Sequence, residues 1–209
     1  VDQFVEGYEN PIESAISRSL SWEQDDITRQ NIQARVRAPG IWMMANIRNS
    51  LLLATSNRSE AAVGYATMDG DTSGGLSPIA GIDKHYLREW LRWMETTGLP
   101  ESGPISALSH INVQNPTAEL RPQSNKQTDE DDLMPYPVLD TMERAAIRDK
   151  KGPKDVLKVV LLAYPEFSNE KLKEWTIKFF KLWCRNQWKR ERYAVSFHVD
   201  DQNLDPKTW

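Results

Sequence analysis

The sequence is poor in the residues that make cross-links or bind transition metals. One cysteine, Cys184, and three histidines stand among 209 residues. A single thiol excludes an intramolecular disulfide framework and a multi-cysteine zinc cluster, and it fits a reducing compartment. His85, His110 and His198 lie too far apart in sequence to form a metal-ligand spacing. Long apolar runs are missing too, as is any signal-peptide pattern, so the chain reads as soluble and cytoplasmic. Nor is there a large charge excess. With 30 acidic against 26 basic residues the net charge is −4, which gives no global pull toward nucleic acid or an anionic membrane; any anion site must be local. The chain begins at Val1 without a methionine and stops at Trp209 in DPKTW, so it reads as a piece of something longer.

What is present is a succession of amphipathic segments with one interruption. Residues 25–48 carry Ile27, Ile32, Val36, Ile41, Met44 and Ile47 at roughly helical spacing, with Asp25 and Asp26 at the start. Pro39 lacks an N–H and its ring crowds the carbonyl four residues back, so the helix should kink or restart near Ala38-Pro39-Gly40. The run Leu51-Leu52-Leu53-Ala54 has the length of a buried parallel strand and is bounded by polar turn residues. It ends at Thr55, and Ser59-Glu60 opens a stretch of helical character. Ligands of open α/β sheets sit at the carboxyl ends of such strands, which makes residues 55–60 the first place to look for chemistry.

Further on, Asp83 can cap a helix with Tyr86, Leu87, Trp90, Leu91 and Met94 on one face, stopped by Gly98 and Pro100. From Pro100 to Pro137 the chain is proline-rich, carries the acidic run TDEDD and shows no sustained period, the composition of a lid, a linker or disorder. Helices are expected again at about 138–149, 153–163 and 169–193, the last with Leu172, Trp175, Phe179, Leu182 and Trp183 along one face.

Several groups have the chemistry of a site. Asn31 and Arg35, four apart on one helix, can grip one polar ligand, or form a solvated face. Glu60 offers hard carboxylate oxygen suited to magnesium, or simply starts a helix. Lys84 and Thr117 can contact phosphates, though lone residues of these types are ordinary on surfaces. TDEDD reads as a solvated loop before a metal cage. WCRNQWKRER interleaves tryptophans with arginines and lysine, a pattern that can stack bases; on an acidic chain an amphipathic helix with its tryptophans in the core is the better reading, and Cys184 within it is packing. GDTSGGLSP at 70–78 resembles the start of an SGGxDS phosphate loop, yet Ser77 and Pro78 stand where its Asp and Ser belong and the flanking DGDT is not strand-like.

Taken together, QNIQARVRAPGIWMMANIRN, LLLATSNRSEAAVGYATMDGDTSGGLSPIAGIDK, NPTAELRP with QTDEDDLMPY, and CRNQWKRERY with SFHVDDQNLDP resemble the synthetase domain of bacterial glutamine-dependent NAD+ synthetase, in consistent order through nearly the whole chain. The resemblance implies an α/β fold, the helix-rich portion of a Rossmann-like adenine nucleotide alpha-hydrolase-like domain of the ATP pyrophosphatases. It implies that ATP with Mg2+ adenylates the nicotinate carboxylate of deamido-NAD+, and that ammonia delivered from a glutaminase domain displaces AMP. By position it places deamido-NAD+ at Asn31, Arg35, Glu60, Tyr65, Ala66, Thr67, Met68 and Lys189, and ATP at Thr55, Lys84 and Thr117, the last on a loop that closes over the site. Glu60 is the implied metal position, and no residue of the chain is implied as catalytic in the covalent sense. The helix before LLLATS is implied in a homodimer or higher homo-oligomer; nucleic acid and membrane are not implied partners. Met68 stands where smaller ammonia-dependent relatives carry a lysine, and Gly75 where they carry an aspartate. The family's authentic SGGxDS loop lies upstream of this region, and neither it nor the glutaminase domain is among these 209 residues, so the piece alone is expected to be inactive. A non-catalytic binding or dimerisation module derived from that domain is the alternative.

Overall fold

A computed structural model describes residues 2–118, 120–121, 128–202 and 204. Part of the proline-rich segment, 122–127, and the DPKTW end lie outside the described residues.

The described chain is mainly helical. Helix α1 (Asp2–Ile16) occupies a stretch in which no helix was legible, because Gly7 and Pro11 dilute its pattern. Helices α2 (Asp26–Arg35) and α3 (Arg37–Ile47) correspond to the expected interrupted helix, but the break falls at Val36, upstream of the proline. The reason is local. Pro39 sits within the first turn of α3, where N–H groups have no intrahelical acceptor, so it is tolerated there and the break precedes it. Asp25 does not cap α2 through its side chain; it is paired with Arg18 at 2.6 Å instead.

The expected strand at Leu51–Ala54 is reduced to a short pairing. Leu53 bridges Leu76 in parallel, Ala54 N–H donates to Leu76 O at 2.8 Å, and Gly75 N–H donates to Leu52 O at 2.8 Å. The partner is thus the end of the GDTSGGL stretch. Gly74 has φ +155°, and a Cβ there would stand 2.5 Å from Ala54 N. Its glycine is therefore required by the approach of one backbone to another. A second parallel bridge joins Ser77 to Ser196.

Helix α4 (Arg58–Val63) starts at Asn57, whose side chain accepts from Glu60 N, and ends at Gly64 with φ +66°. Helix α5 (Lys84–Thr96) is capped by Asp83 as expected, with Tyr86 N–H donating to Oδ1 at 2.8 Å. Only Leu87 and Met94 of its apolar residues are buried; Tyr86 and Trp90 are exposed. The proline-rich segment carries short helices α6 (Ser109–Asn112) and α7 (Asp129–Asp132). TDEDD is therefore not a solvated loop: Thr128 and Asp131 form a reciprocal capping box and Asp129 is buried.

Helix α8 (Tyr136–Glu143), continued by a wider turn over Arg144–Arg148, packs with α9 (Pro153–Ala163) and α10 (Asn169–Arg185). Their shared core holds Tyr136, Leu139, Met142, Val156, Val160, Leu172 and Phe179, with Val63 of α4. The face expected on α10 is present: Leu172, Trp175 and Phe179 are buried, and Leu182 and Trp183 pack on the same core. The helix does not run to 193. Asn186 interrupts it before α11 (Gln187–Arg190), and its amide donates to Val63 O at 2.7 Å, tying the break to α4. Among the described residues no helix is long and apolar enough to cross a membrane.

Candidate nucleotide site

A cavity of about 550 Å³ opens beside the Leu52–Thr55 segment, between α3, α5 and the 111–118 stretch. Its walls combine apolar Ala38, Ile41 and Leu91 with Glu60, Asp71 and Asp129, and with the cations Arg37, Lys84, Arg88 and Arg92. Mixed walls of this kind suit a ligand with a flat apolar part and a charged part.

Two helix starts bring the central pair together. Glu60 lies in the first turn of α4 and Lys84 is the first residue of α5; Lys84 Nζ stands 2.9 Å from Glu60 Oε1. Ser59 fixes their relation, since its Oγ accepts from Lys84 N–H at 2.8 Å and donates to Asp140 Oδ1 at 2.6 Å. His85 N–H donates to the other Asp140 oxygen at 3.1 Å. At the cavity wall the tyrosines anchor the acidic turn: Tyr65 OH donates to Asp132 at 2.8 Å and Tyr136 OH to Asp129 at 3.0 Å. Burial, then the neighbouring carboxylates, raise the pKa of both phenols, so both stay protonated and are hydrogen-bond donors at neutral pH. Burial likewise raises Asp71 and Asp129 above the usual carboxylate range, against the pull of Thr67 N–H on the first and of Tyr136 OH on the second.

The residues singled out in the sequence fall into two groups. Thr55, Glu60, Tyr65, Lys84 and Thr117 all line the cavity. Asn31, Arg35, Ala66, Thr67, Met68 and Lys189 do not. Of the second group, Arg35 and Lys189 reach the loop after α4 that carries Ala66, Thr67 and Met68, while Asn31 lies on α2. Lys189 Nζ donates to Gly64 O at 2.8 Å and to Ala66 O at 2.7 Å, and Arg35 Nε donates to Met68 O at 3.1 Å, so the two cations grip this loop by its carbonyls. Met68 is buried and its neighbour Thr67 holds Asp71 through the backbone at 2.7 Å. In WCRNQWKRER, Arg190 is buried over Trp183 at 3.9 Å and donates to Ala62 O at 2.7 Å, which makes that stretch chiefly a packing element.

Arg88 and Arg92 escaped the reading of the sequence. A signal for them exists: with Lys84 they recur every four residues along α5, one cationic edge on one helix face. Arg58, treated below, carried no such signal.

Magnesium is the metal that the family resemblance implies. No group of three His, Cys, Asp or Glu that could hold a metal occurs among the described residues. Glu60 supplies one carboxylate beside the Thr55 wall, which fits an ion whose remaining positions come from phosphate and water.

Asp140 makes the acid–base behaviour testable. Burial first, and the like charge of Asp83 next, push its carboxyl up to about 7 from an ordinary 3.8. Between these values the folded chain keeps a proton that the unfolded chain has released, so this group's contribution to stability falls as pH rises from about 4 to about 7 and is level above that. Asp140→Asn is expected to flatten that fall, as read from urea midpoints between pH 4 and 8. An unchanged slope would contradict the assignment.

A mainly helical chain that brings a carboxylate, a lysine and an arginine edge to one cavity has the layout of domains suited to a ligand with an anionic part. The chain belongs to the NAD synthase family, whose model matches residues 5–192. It is 32% identical over 194 residues to the glutamine-dependent NAD(+) synthetase of Rhodobacter capsulatus, covering 91% of this chain and 33% of that protein. With the enzyme of the same name from Thermotoga maritima the identity is 33% over 186 residues, covering 89% of this chain and 29% of that one. The crystal structure of a glutamine-dependent NAD(+) synthetase from Cytophaga hutchinsonii superimposes with TM-score 0.80 at 49% identity, covering 98% of this chain and 31% of that one. An NMN synthetase from Francisella tularensis shares the fold at TM-score 0.58 and 22% identity, covering 92% of this chain and 63% of that one. The chain thus spans about a third of the length of the glutamine-dependent relatives it matches.

Proposed function

We propose that this chain is part of the synthetase domain of an enzyme that converts deamido-NAD+ to NAD+ with ATP and glutamine-derived ammonia. The observation that carries the reading is the Glu60–Lys84 pair facing a cavity lined by Thr55, Tyr65 and Thr117, the positions at which the family resemblance puts ATP and nicotinate. The fold in this reading is the helix-rich portion of a Rossmann-like α/β domain, of which the short Leu53–Leu76 pairing is the edge.

In the reaction the nicotinate carboxylate attacks the α-phosphorus of ATP and pyrophosphate leaves. Ammonia then attacks the acyl carbon, AMP departs with the former carboxylate oxygen, and one proton is released. Lys84, Arg88 and Arg92 oppose the phosphate charge, and Thr55 and Thr117 contact ATP. The loop held by Arg35 and Lys189, with Asn31, Tyr65, Ala66, Thr67 and Met68, takes deamido-NAD+. Magnesium at Glu60 would neutralise phosphate charge when bound. The apolar walls exclude water, so that ammonia is the nucleophile. The exposed Ile41, Trp42, Met43, Met44 and Ile47 of α3 suit the homo-oligomeric contact that the family resemblance implies.

The test is formation of NAD+ by the full-length protein supplied with deamido-NAD+, MgATP and either glutamine or ammonium. Activity with both nitrogen sources is expected, and none from the 209 residues alone, whose sequence does not include the SGGxDS loop. A full-length protein that makes no NAD+ under either condition would sink the proposal.

A further inference from the structure

One buried cluster lies outside the cavity and is not used by the chemistry above. Arg58, the first residue of α4, has a side chain only 3% exposed. Its guanidinium meets Glu143 of α8 at 2.7 Å, Asp83 at 3.1 Å and Asp200 at 2.7 Å, and donates to Gly81 O at 2.9 Å and Gln202 Oε1 at 3.2 Å. Burying this cation without partners would be prohibitive, and its partners come from separate segments of the chain.

The partners share a position relative to the site. Asp83 caps α5, one residue before Lys84. Arg58 precedes Glu60 by two residues, and its own N–H donates to Ile82 O at 2.9 Å. One guanidinium therefore fixes the starts of both helices whose first turns carry the Glu60–Lys84 pair. The remaining partners, Asp200 and Gln202, come from the segment after α11. That segment is seated at two further points: Ser77 N–H donates to Val195 O at 2.9 Å, and Phe197 O lies so close to Gly81 that a Cβ there would be 2.6 Å away.

We infer that Arg58 is a positioning residue and that residues 195–202 form a strap which, by engaging it through Asp200 and Gln202, holds Glu60 and Lys84 in register for the adenylation step. This rests on the synthetase reading of the cavity. No residue of the strap lines the cavity, so the strap acts on the site at a remove, and Arg58 with the two helix starts is the most direct route. Asp200 is the handle for a test, because its side chain is 45% exposed and can be altered without opening the core.

The experiment is deamido-NAD+-dependent exchange of labelled pyrophosphate into ATP by the full-length protein. The variants are Asp200→Asn, Asp200→Glu and Arg58→Lys, with Asp155→Asn as a surface control. Asp200→Asn and Arg58→Lys are expected to lower kcat on the order of tenfold or more at temperatures well below their Tm, since small misplacements of reacting groups carry costs of that size. Asp200→Glu should recover most of the rate, and Asp155→Asn should match wild type. Gln202→Ala serves if Arg58→Lys does not fold. Wild-type kcat in Asp200→Asn, or losses that only follow the folded fraction, would overturn the inference. Absence of exchange in the wild type would instead refute the synthetase reading itself.

Discussion

Lys84→Met in the full-length protein is expected to reduce kcat/KM for NAD+ formation by about a hundredfold or more while leaving the fold in place. Lys84 is held at 2.9 Å from Glu60 at the mouth of α5 and faces the cavity. Methionine keeps the length of the stem and removes the ammonium. Where a fixed donor opposes charge that grows in the transition state, its loss costs about 2.7–4 kcal/mol. The structural cost is much smaller. Lys84 lies 5.8 Å from the centre of the Tyr136 ring, a cation–π contact worth roughly 0.5–1 kcal/mol, and its partner Glu60 keeps access to water. Steady-state kinetics beside a thermal melt separate the two. A variant that melts like wild type but turns over at the wild-type rate would remove Lys84 from the site.

Gly74→Ala is expected to destabilise the domain by roughly 3 kcal/mol or more, through backbone alone. At φ +155° an L-residue is strained by about 1–3 kcal/mol. The added Cβ would also stand 2.5 Å from Ala54 N, which is committed to Leu76 O at 2.8 Å. Relief requires the Leu52–Ala54 pairing to part, and that pairing places Thr55. Thermal or urea denaturation checks the loss. The neighbouring Gly75 has ordinary φ and its added Cβ would meet only the tip of Leu51, so Gly75→Ala should cost far less.

Elements set by local chemistry were legible in the sequence. Helix α9 was legible to the residue because Pro153 at its first position leaves little freedom in where it begins. Asp83 announced α5 by its side-chain chemistry, and the α10 face by its period. The strand was harder. Four apolar residues in a row look like a full strand, yet only the part opposite Gly75-Leu76 is paired, and pairing depends on a partner distant in sequence. TDEDD looked solvated because charge runs usually are; the phenol that engages Asp132 lies far away in sequence, and the one that meets Asp129 stands on a separate helix across Pro135. In the site, Glu60 and Lys84 were found by resemblance and stand together in space. Arg58 was hidden because its partners Asp83, Glu143 and Asp200 come from segments that no local pattern connects. GDTSGGLSP changed most in meaning. Its Gly74 lets one backbone lie against the segment that carries Thr55.

In the proposed reaction the nicotinate carboxylate of deamido-NAD+ is adenylated in the Glu60–Lys84 cavity before ammonia arrives. The decisive measurement is NAD+ formation by the full-length protein from deamido-NAD+ bearing 18O at both oxygens of its nicotinate carboxylate. Mass spectrometry of the AMP product should find one 18O per turnover, with pyrophosphate unlabelled. NAD+ formed while AMP carries no label, or label recovered in pyrophosphate or inorganic phosphate, would contradict the account.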